Sequence, residues 1–421
     1  MRVLIVGGGG REHALGWKIA QDGGSTIYSA PGNAGLAELG PTVDIPPERI
    51  GELADFAREN AIDCTVVGPE IPLIEGIVDE FLARGIRVFG PRRAAARIEG
   101  SKIFAKNLMR RHKIPTADFD VFDDAQDAHR YIDKKGAPIV VKADGAAAGK
   151  GVIVAEDTAT AHEAVAMMME EKALGAAGLR VVIEERLIGQ EMSLLFFTDG
   201  EEVSPLAPAR DYKRVGDGDT GPNTGGMGCY SPVPFLNGDL MTDVLERITR
   251  PTIQALRLEG IRYRGVLYVG IILTNRGLKI LEYNARFGDP ETQVQMPRLE
   301  TPLIEILEAC SSGRLREVDI RWRDNAAACV VMAAGGYPGR YERGKVITGL
   351  RDAAEVDEAV VFHAGTKLDC GNVVTNGGRV LGVTAAGPDL PEARQRAYRA
   401  VSRIAFGGAF WRKDVALGIT V

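Results

Sequence analysis

The chain has 421 residues, a formal charge of −6 and an apolar content of 45%, enough for about three domains, each with its own core. That mild acidic excess excludes a general basic field for nucleic acid or an anionic membrane. The first apolar run, residues 3–6, is too short for a signal peptide, and no stretch approaches the roughly 18 apolar residues that span a bilayer, so a soluble protein is expected.

Residues 3–6 predict a buried strand, 7–10 a tight glycine turn and 11–20 a helix, with Glu12 in the first helical turn favourable to the dipole. Further units follow: a strand at 25–29 ending in Pro31, Gly32 and Asn33, a helix near 50–60, a strand at 64–67 ending in Gly68, Pro69 and Glu70, a helix near 74–84 and a strand at 87–89. Such alternation implies a Rossmann-like parallel sheet with the three turns at one edge. The turn is a poor dinucleotide fingerprint. Glu12 or His13 occupies the third glycine position of either G-x-G-x-x-G frame, and no acidic residue ends the second strand. A phosphorylated small molecule at the helix N-terminus fits better.

Ser101 is placed to cap a helix that stops before Ile114 and Pro115. Lys102 in its first turn opposes the dipole and fits either a nearby ligand phosphate or a solvated side chain. Residues 138–155, PIVVKADGAAAGKGVIVA, read as strand, glycine-rich loop and strand, with Lys142 and Lys150 at either end of the turn. A P-loop is excluded: three residues separate Gly145 from Gly149, Gly151 follows Lys150, and the loop leads to a strand. The expected role is a lid over a polyphosphate.

A helix at 160–172, strands at 180–185 and 193–198, and a connector at 187–191 follow. Residues 210–228, RDYKRVGDGDTGPNTGGMG, show no helical or strand period, and a loop this long is usually functional. Next come a helix at 239–258, a strand at 266–273 and the strand LKILEYNAR at 278–286. Period two places Glu282, Asn284 and Arg286 on one face and Tyr283 and Ala285 on the other. Two oxygen donors two residues apart on a rigid strand suit Mg²⁺; a structural ion pair of Glu282 with Arg286 is the other reading. Asp289 and Glu291 extend the polar site.

Beyond residue 319 the pattern becomes α+β: strands at 329–333 and 360–362, a pair at 372–375 and 379–384 joined by Asn376, Gly377 and Gly378, and a closing helix at 390–406. His363 reads as structural. Cys64, Cys229, Cys310, Cys329 and Cys370 form no C-x-x-C pair and are expected to be reduced, buried thiols of a cytoplasmic protein.

Together these segments resemble the ATP-grasp superfamily and, from end to end, its phosphoribosylamine–glycine ligase (glycinamide ribonucleotide synthetase) family. The resemblance rests on GGGGREHA (7–14), PGNAG (31–35), VGPE (67–70), KADGAAAGKGV (142–152), KRVGDGDTGPNTGGMG (213–228), NARFGDPE (284–291), VVMAAGGYPG (330–339) and HAGT (363–366). The chain departs from the common family pattern at Gly8, Ala146, Arg210, Tyr212 and Leu267.

The implied fold class is mixed α/β and α+β. A Rossmann-like N-terminal domain would span 1–100, a two-lobed ATP-grasp core 101–320 with its lid subdomain at about 115–190, and a small α+β domain 321–421. By the same resemblance Lys102, Lys142, Gly149, Lys150 and Gly151 would hold or cover the ATP phosphates, Glu184 and Leu187 the adenine, and Glu191 the ribose. Glu282 and Asn284 would bind Mg²⁺ or Mn²⁺. Arg286, Lys142, Asp211 and Lys213 would serve the chemistry. Gly9, Gly10, Arg11, Glu12, Asn33, Pro69, Glu70, Thr224, Gly225, Gly226, Asp289 and Glu291 would bind substrate. The implied partners are ATP, glycine and 5-phosphoribosylamine, with no nucleic acid and no membrane, in a monomer or dimer. Another ATP-grasp carboxylate–amine ligase and a nucleotide-binding regulatory protein are the alternatives. Paired strand-mounted metal ligands argue against the second.

Overall fold

In the computed structural model, which describes residues 1–145 and 151–419, the first sheet is all parallel. Its strands run in the order Thr26–Pro31, Arg2–Gly7, Cys64–Val67 and Val88–Phe89. Val3 to Val6 are fully buried, because helices or neighbouring sheets cover both faces of a parallel sheet. The three expected turns meet at its carboxyl edge, where Gly32 N donates to Gly7 O at 3.2 Å and Gly68 N to Val6 O at 3.0 Å.

A second sheet holds the hairpin. Phe119–Phe122, Val181–Glu185, Ile139–Ala143 and Val152–Ala155 lie side by side, with Lys142 opposite Val152. A third, antiparallel sheet is ordered Val203–Pro205, Gln190–Thr198, Gly265–Thr274 and Gly277–Asn284. Phe287, just past its last strand, packs between Phe89 of the first sheet and Phe197 of the third, at 5.9 and 6.0 Å between ring centroids. Burying such a ring contributes about 2–3 kcal/mol, and this one fixes the backbone from which the polar site projects.

The fourth sheet, Arg210–Asp211, Gly228–Ser231, Ala326–Ala333, Arg379–Gly387 and Ala359–His363, joins the long glycine-dense segment to the C-terminal strands and is covered by the helix Leu390–Val401. Several expectations are corrected here. Residues 210–228 are not without strands, since Arg214–Gly216 and Thr220–Asn223 also form a hairpin. The strand Asn372–Thr375 pairs with Thr366–Asp369 and not with Arg379–Gly387, which lies inside the fourth sheet. The helix expected at 74–84 is broken at Gly76, whose φ of +96° is left-handed. The final helix ends at Val401, and Ala405 instead pairs with Thr348. Cys370 is exposed, while the other four cysteines are buried.

Candidate active site

The site is built where the first-sheet turns, the hairpin sheet, the third sheet and the fourth sheet converge. At the turn after the first strand, Gly9 precedes the helix Gly10–Gln21, and its N–H donates to Glu12 Oε2 at 2.6 Å. The buried Glu12 also takes Arg11 Nε at 2.5 Å, and Arg11 Nη1 donates to Phe287 O at 3.2 Å. Glycine is required opposite: a Cβ on Gly68 would lie 1.9 Å from Glu12 Oε1. Asn33 Nδ2 donates to His363 O at 2.7 Å, and His363 N donates to His13 Nδ1 at 2.8 Å. His363 is therefore structural, a clasp between the first and fourth sheets. Pro69 precedes the short helix Glu70–Glu75 and orients Glu70 toward Arg286.

Lys102 opens the helix Lys102–Arg111, which Ser101 caps by accepting from Phe104 N at 3.0 Å. Asp144 ties this helix start to the hairpin, accepting from Ser101 Oγ and Ile103 N, each at 2.8 Å, and from Arg180. Burial and the neighbouring Lys142 lower the Lys102 pKa, although Glu282 opposes this. Lys142, the penultimate residue of the strand Ile139–Ala143, donates to Leu281 O at 3.1 Å. Its ammonium is also paired with Glu184, whose other oxygen holds the buried Lys106. Burial would raise the Glu184 pKa, but the two lysines bring it below the usual carboxylate range. Glu184 thus organises two ammoniums, a task its sequence context does not reveal.

On the strand Gly277–Asn284, Glu282 and Asn284 share a partly accessible face with Arg286, while Tyr283 and Ala285 are buried, as period two requires. Arg286 is not paired with Glu282. It meets Glu70 and Glu99 at 3.2 Å each, and Ala285 N donates to Glu99 at 2.6 Å. The structural ion-pair reading of Glu282 is thereby removed. Burial would raise Glu282, yet Lys213, Lys142, Lys102 and Arg286 hold its pKa below the ordinary value. Among the described residues neither the Glu282 carboxylate nor the Asn284 side-chain amide has a hydrogen-bond partner, and this hard-oxygen donor set fits a divalent cation such as Mg²⁺.

The glycine-dense segment supplies the third wall. Thr224 Oγ1 donates to Lys213 O at 2.9 Å and accepts from Gly226 N at 3.0 Å. Gly226 has φ +109°, and a Cβ there would lie 2.5 Å from Pro290 Cδ. Arg379 clamps this turn to the next, donating to Gly225 O at 2.7 Å and to Asp289 Oδ2 at 2.9 Å. Lys213 lies 3.7 Å from Glu191. Burial lowers its pKa, but Asp211, Glu282, Glu191 and Glu291 outweigh that and raise it. Glu291 heads the helix Glu291–Gln295 and accepts from Tyr268 OH at 3.0 Å. Burial, reinforced by the charge of Asp211, raises its pKa to about 7.

Of the expected residues, Leu187 lies on the connector between Val181–Glu185 and Gln190–Thr198. Glu191 is not on that connector but exposed at the start of the second strand, which begins at Gln190 and not at Ser193. Gly151 is described beside the hairpin, and Gly149 and Lys150 lie outside the described residues. Sequence reasoning missed Lys106, Glu99, Arg379, Tyr268 and Ser193. Only the cross-strand position of Tyr268, opposite Asn284, offered a signal.

Two lobes with a hairpin lysine at their cleft, and a Glu-x-Asn strand facing it, define an ATP-grasp protein. The family comparisons agree along the chain: residues 1–99 match the phosphoribosylglycinamide synthetase N domain, 100–292 its ATP-grasp (A) domain and 327–418 its C domain. The chain belongs to the phosphoribosylglycinamide synthetase family. It is 51% identical over 421 residues to the phosphoribosylamine–glycine ligase of Escherichia coli K12, covering 99% of this chain and 98% of that one. It is 49% identical over 419 residues to that of Caldanaerobacter subterraneus subsp. tengcongensis, covering 99% and 100%. The crystal structure of the Thermotoga maritima phosphoribosylamine–glycine ligase superposes with a TM-score of 0.85 at 36% identity, covering 99% and 100%. A Campylobacter jejuni biotin carboxylase, at 15% identity and a TM-score of 0.75, shares the fold.

Proposed function

We propose that the chain joins glycine to 5-phosphoribosylamine at the expense of ATP, giving glycinamide ribonucleotide, ADP and phosphate, a step of purine biosynthesis. The observation that carries this reading is the convergence of Lys102, Lys142, Lys213 and Arg286 on Glu282, beside the glycine-rich turns of the first sheet.

Glycine's carboxylate oxygen attacks the γ-phosphorus of ATP, and ADP leaves. The phosphoribosylamine nitrogen then attacks the carbonyl carbon of glycyl phosphate, and inorganic phosphate leaves. Neither step needs a protein nucleophile; alignment and positive charge placed where negative charge moves are sufficient. Lys102 and Lys142 hold the ATP phosphates, the latter kept in place by Glu184 and Leu281 O. Leu187, on the connector, and Glu191, at the start of the strand that follows it, face the adenosine. Glu282 and Asn284 would hold Mg²⁺ or Mn²⁺, which would neutralise phosphate charge during transfer. Arg286, fixed by Glu70 and Glu99, presents its cation to the transferring phosphoryl group.

Gly9, Gly10, Arg11, Glu12, Asn33, Pro69 and Glu70 form the phosphoribosyl side of the site, and Asp211, Lys213, Thr224, Gly225, Gly226, Asp289 and Glu291 the reacting side. Domains at 1–100, 101–320 and 321–421 and a cytoplasmic location accompany this reading. No helix among the described residues is long and apolar enough to cross a membrane. The test follows one oxygen atom. Glycine labelled with ¹⁸O in its carboxylate should deliver one ¹⁸O to each inorganic phosphate released; unlabelled phosphate would refute the acyl phosphate route.

A further inference from the structure

Four side chains on three walls of the site form a continuous chain of oxygens. Asp211 lies on the short edge strand of the fourth sheet, Ser193 and Tyr268 on adjacent strands of the third sheet, and Glu291 at the start of its helix. Ser193 Oγ is 3.3 Å from Asp211 Oδ1 and 2.6 Å from Tyr268 OH, and Tyr268 OH is 3.0 Å from Glu291 Oε1. Ser193, Tyr268 and Glu291 are nearly or fully buried, at 1%, 5% and 3% exposure, so bulk water does not short-circuit the chain.

The proton count gives the arrangement its meaning. Three oxygen-to-oxygen gaps are bridged by two hydroxyl protons. With both carboxylates ionised, Tyr268 donates to Glu291 and Ser193 has one proton for two acceptors, Tyr268 OH and Asp211 Oδ1, so one of the two remaining gaps stays unfilled. One added proton on Glu291 reverses the order: Glu291 donates to Tyr268, Tyr268 to Ser193 and Ser193 to Asp211. Every gap is then filled, and Asp211 keeps the negative charge. Buried hydrogen-bond chains of this kind strengthen cooperatively.

We propose that Glu291, coupled to Asp211 through Tyr268 and Ser193, accepts the proton released by the attacking amine. The inference rests on the ligase reading. As the nitrogen–carbon bond forms and the carbon–oxygen bond to phosphate breaks, phosphate leaves with the electron pair and the surplus proton on nitrogen passes to Glu291. The charged and titratable groups around Glu291 are Asp211 and Lys213 from the glycine-dense segment, Tyr268 from the third sheet, Arg286 past its last strand, and Cys229 and Arg379 from the fourth sheet. Burial and Asp211 push the carboxyl toward neutral pH, while the Tyr268 hydrogen bond and Lys213 pull the other way. A general base is most effective in that range.

The test is the pH profile of kcat/KM for phosphoribosylamine, between about pH 5.5 and 9, in the full-length enzyme with saturating glycine and ATP–Mg²⁺. Glu291→Gln should lower it by roughly 10²-fold or more, remove the acid limb near neutrality and leave KM for ATP within about twofold. Tyr268→Phe removes a donor to the ionised carboxylate and should move the limb to higher pH. Asp211→Asn removes the opposing charge and should move it lower. Opposite shifts distinguish proton coupling from a packing role, and Tyr268→Phe carries the test if Glu291→Gln does not fold. A Glu291→Gln enzyme with the wild-type profile, or limb shifts in one direction for the other two variants, would overturn the inference. Absence of product from the wild-type enzyme would instead overturn the ligase reading.

Discussion

Replacing Glu184 by Gln tests the electrostatic frame of the phosphate site, because this carboxylate lies between two ammoniums in a nearly dry setting. Side-chain exposure is 3% for Lys106, 6% for Lys142 and 3% for Glu184. Removing one partner of a buried pair typically costs about 3–5 kcal/mol. The lower end applies here, because Lys106 retains Thr116 Oγ1 at 2.7 Å and Lys142 retains Leu281 O at 3.1 Å. A loss of about 3 kcal/mol in a chain of this length lowers Tm by about 3 °C if unfolding is cooperative. The pH dependence has a definite sign. Burial lowers the Lys106 pKa from 10.5 to about 8, even with Glu184 opposing that shift. At pH 7 the unfolded chain binds a proton that the Glu184→Gln fold retains only at a cost, whereas above pH 8 the wild-type fold also begins to release it. The mutant's deficit should therefore shrink by about half between pH 7 and pH 9 in thermal scans. An equal deficit at both pH values, or none at pH 7, would refute the buried-triad account.

Glu282→Gln should lower kcat on the order of 10²-fold and raise the Mg²⁺ concentration needed for half-maximal rate, with Tm changed by less than about 1 °C; early melting with near-normal turnover would exclude it as a metal ligand. Glu99→Ala strips a partner from Arg286 and orphans Ala285 N, so urea denaturation should show a loss of about 2–4 kcal/mol. Burial, aided for His13 by its neighbour His363, lowers these pKa values from 6.5 to about 3 and about 4 respectively. Both therefore contribute stability that is present above pH 6.5 and lost as the pH falls toward 4. His13→Asn keeps an acceptor for His363 N and cannot titrate. Its Tm should decline less steeply over that window than the wild-type value.

The parallel sheet was legible because its buried strands are short apolar runs, each ended by glycine or proline. The face carrying Glu282, Asn284 and Arg286 was legible because a strand alternates strictly. The fourth sheet was not: Arg210–Asp211 and Gly228–Ser231 are two and four residues long, and Cys229 finds its register opposite Cys329, a hundred residues away. Strands that short carry no period. Lys106, Glu99 and Arg379 escaped for a related reason. Each reads locally as a solvated charge, and only a distant partner, Glu184, Arg286 or Asp289, makes it part of the site. Arg286 was recognised but Glu99, one of its two carboxylate partners, was not, because Glu99 sits on the helix Arg93–Gly100, far from the strand in sequence.

ADP release from ATP–Mg²⁺, measured with glycine and phosphoribosylamine added singly and together, tests the central claim most directly. The site described here requires a carboxylate to receive the phosphoryl group and an amine to take the acyl group, so sustained ADP release should need both, with one glycinamide ribonucleotide formed per ADP. Sustained release with neither present, or with a different carboxylate in place of glycine at an equal rate, would contradict it.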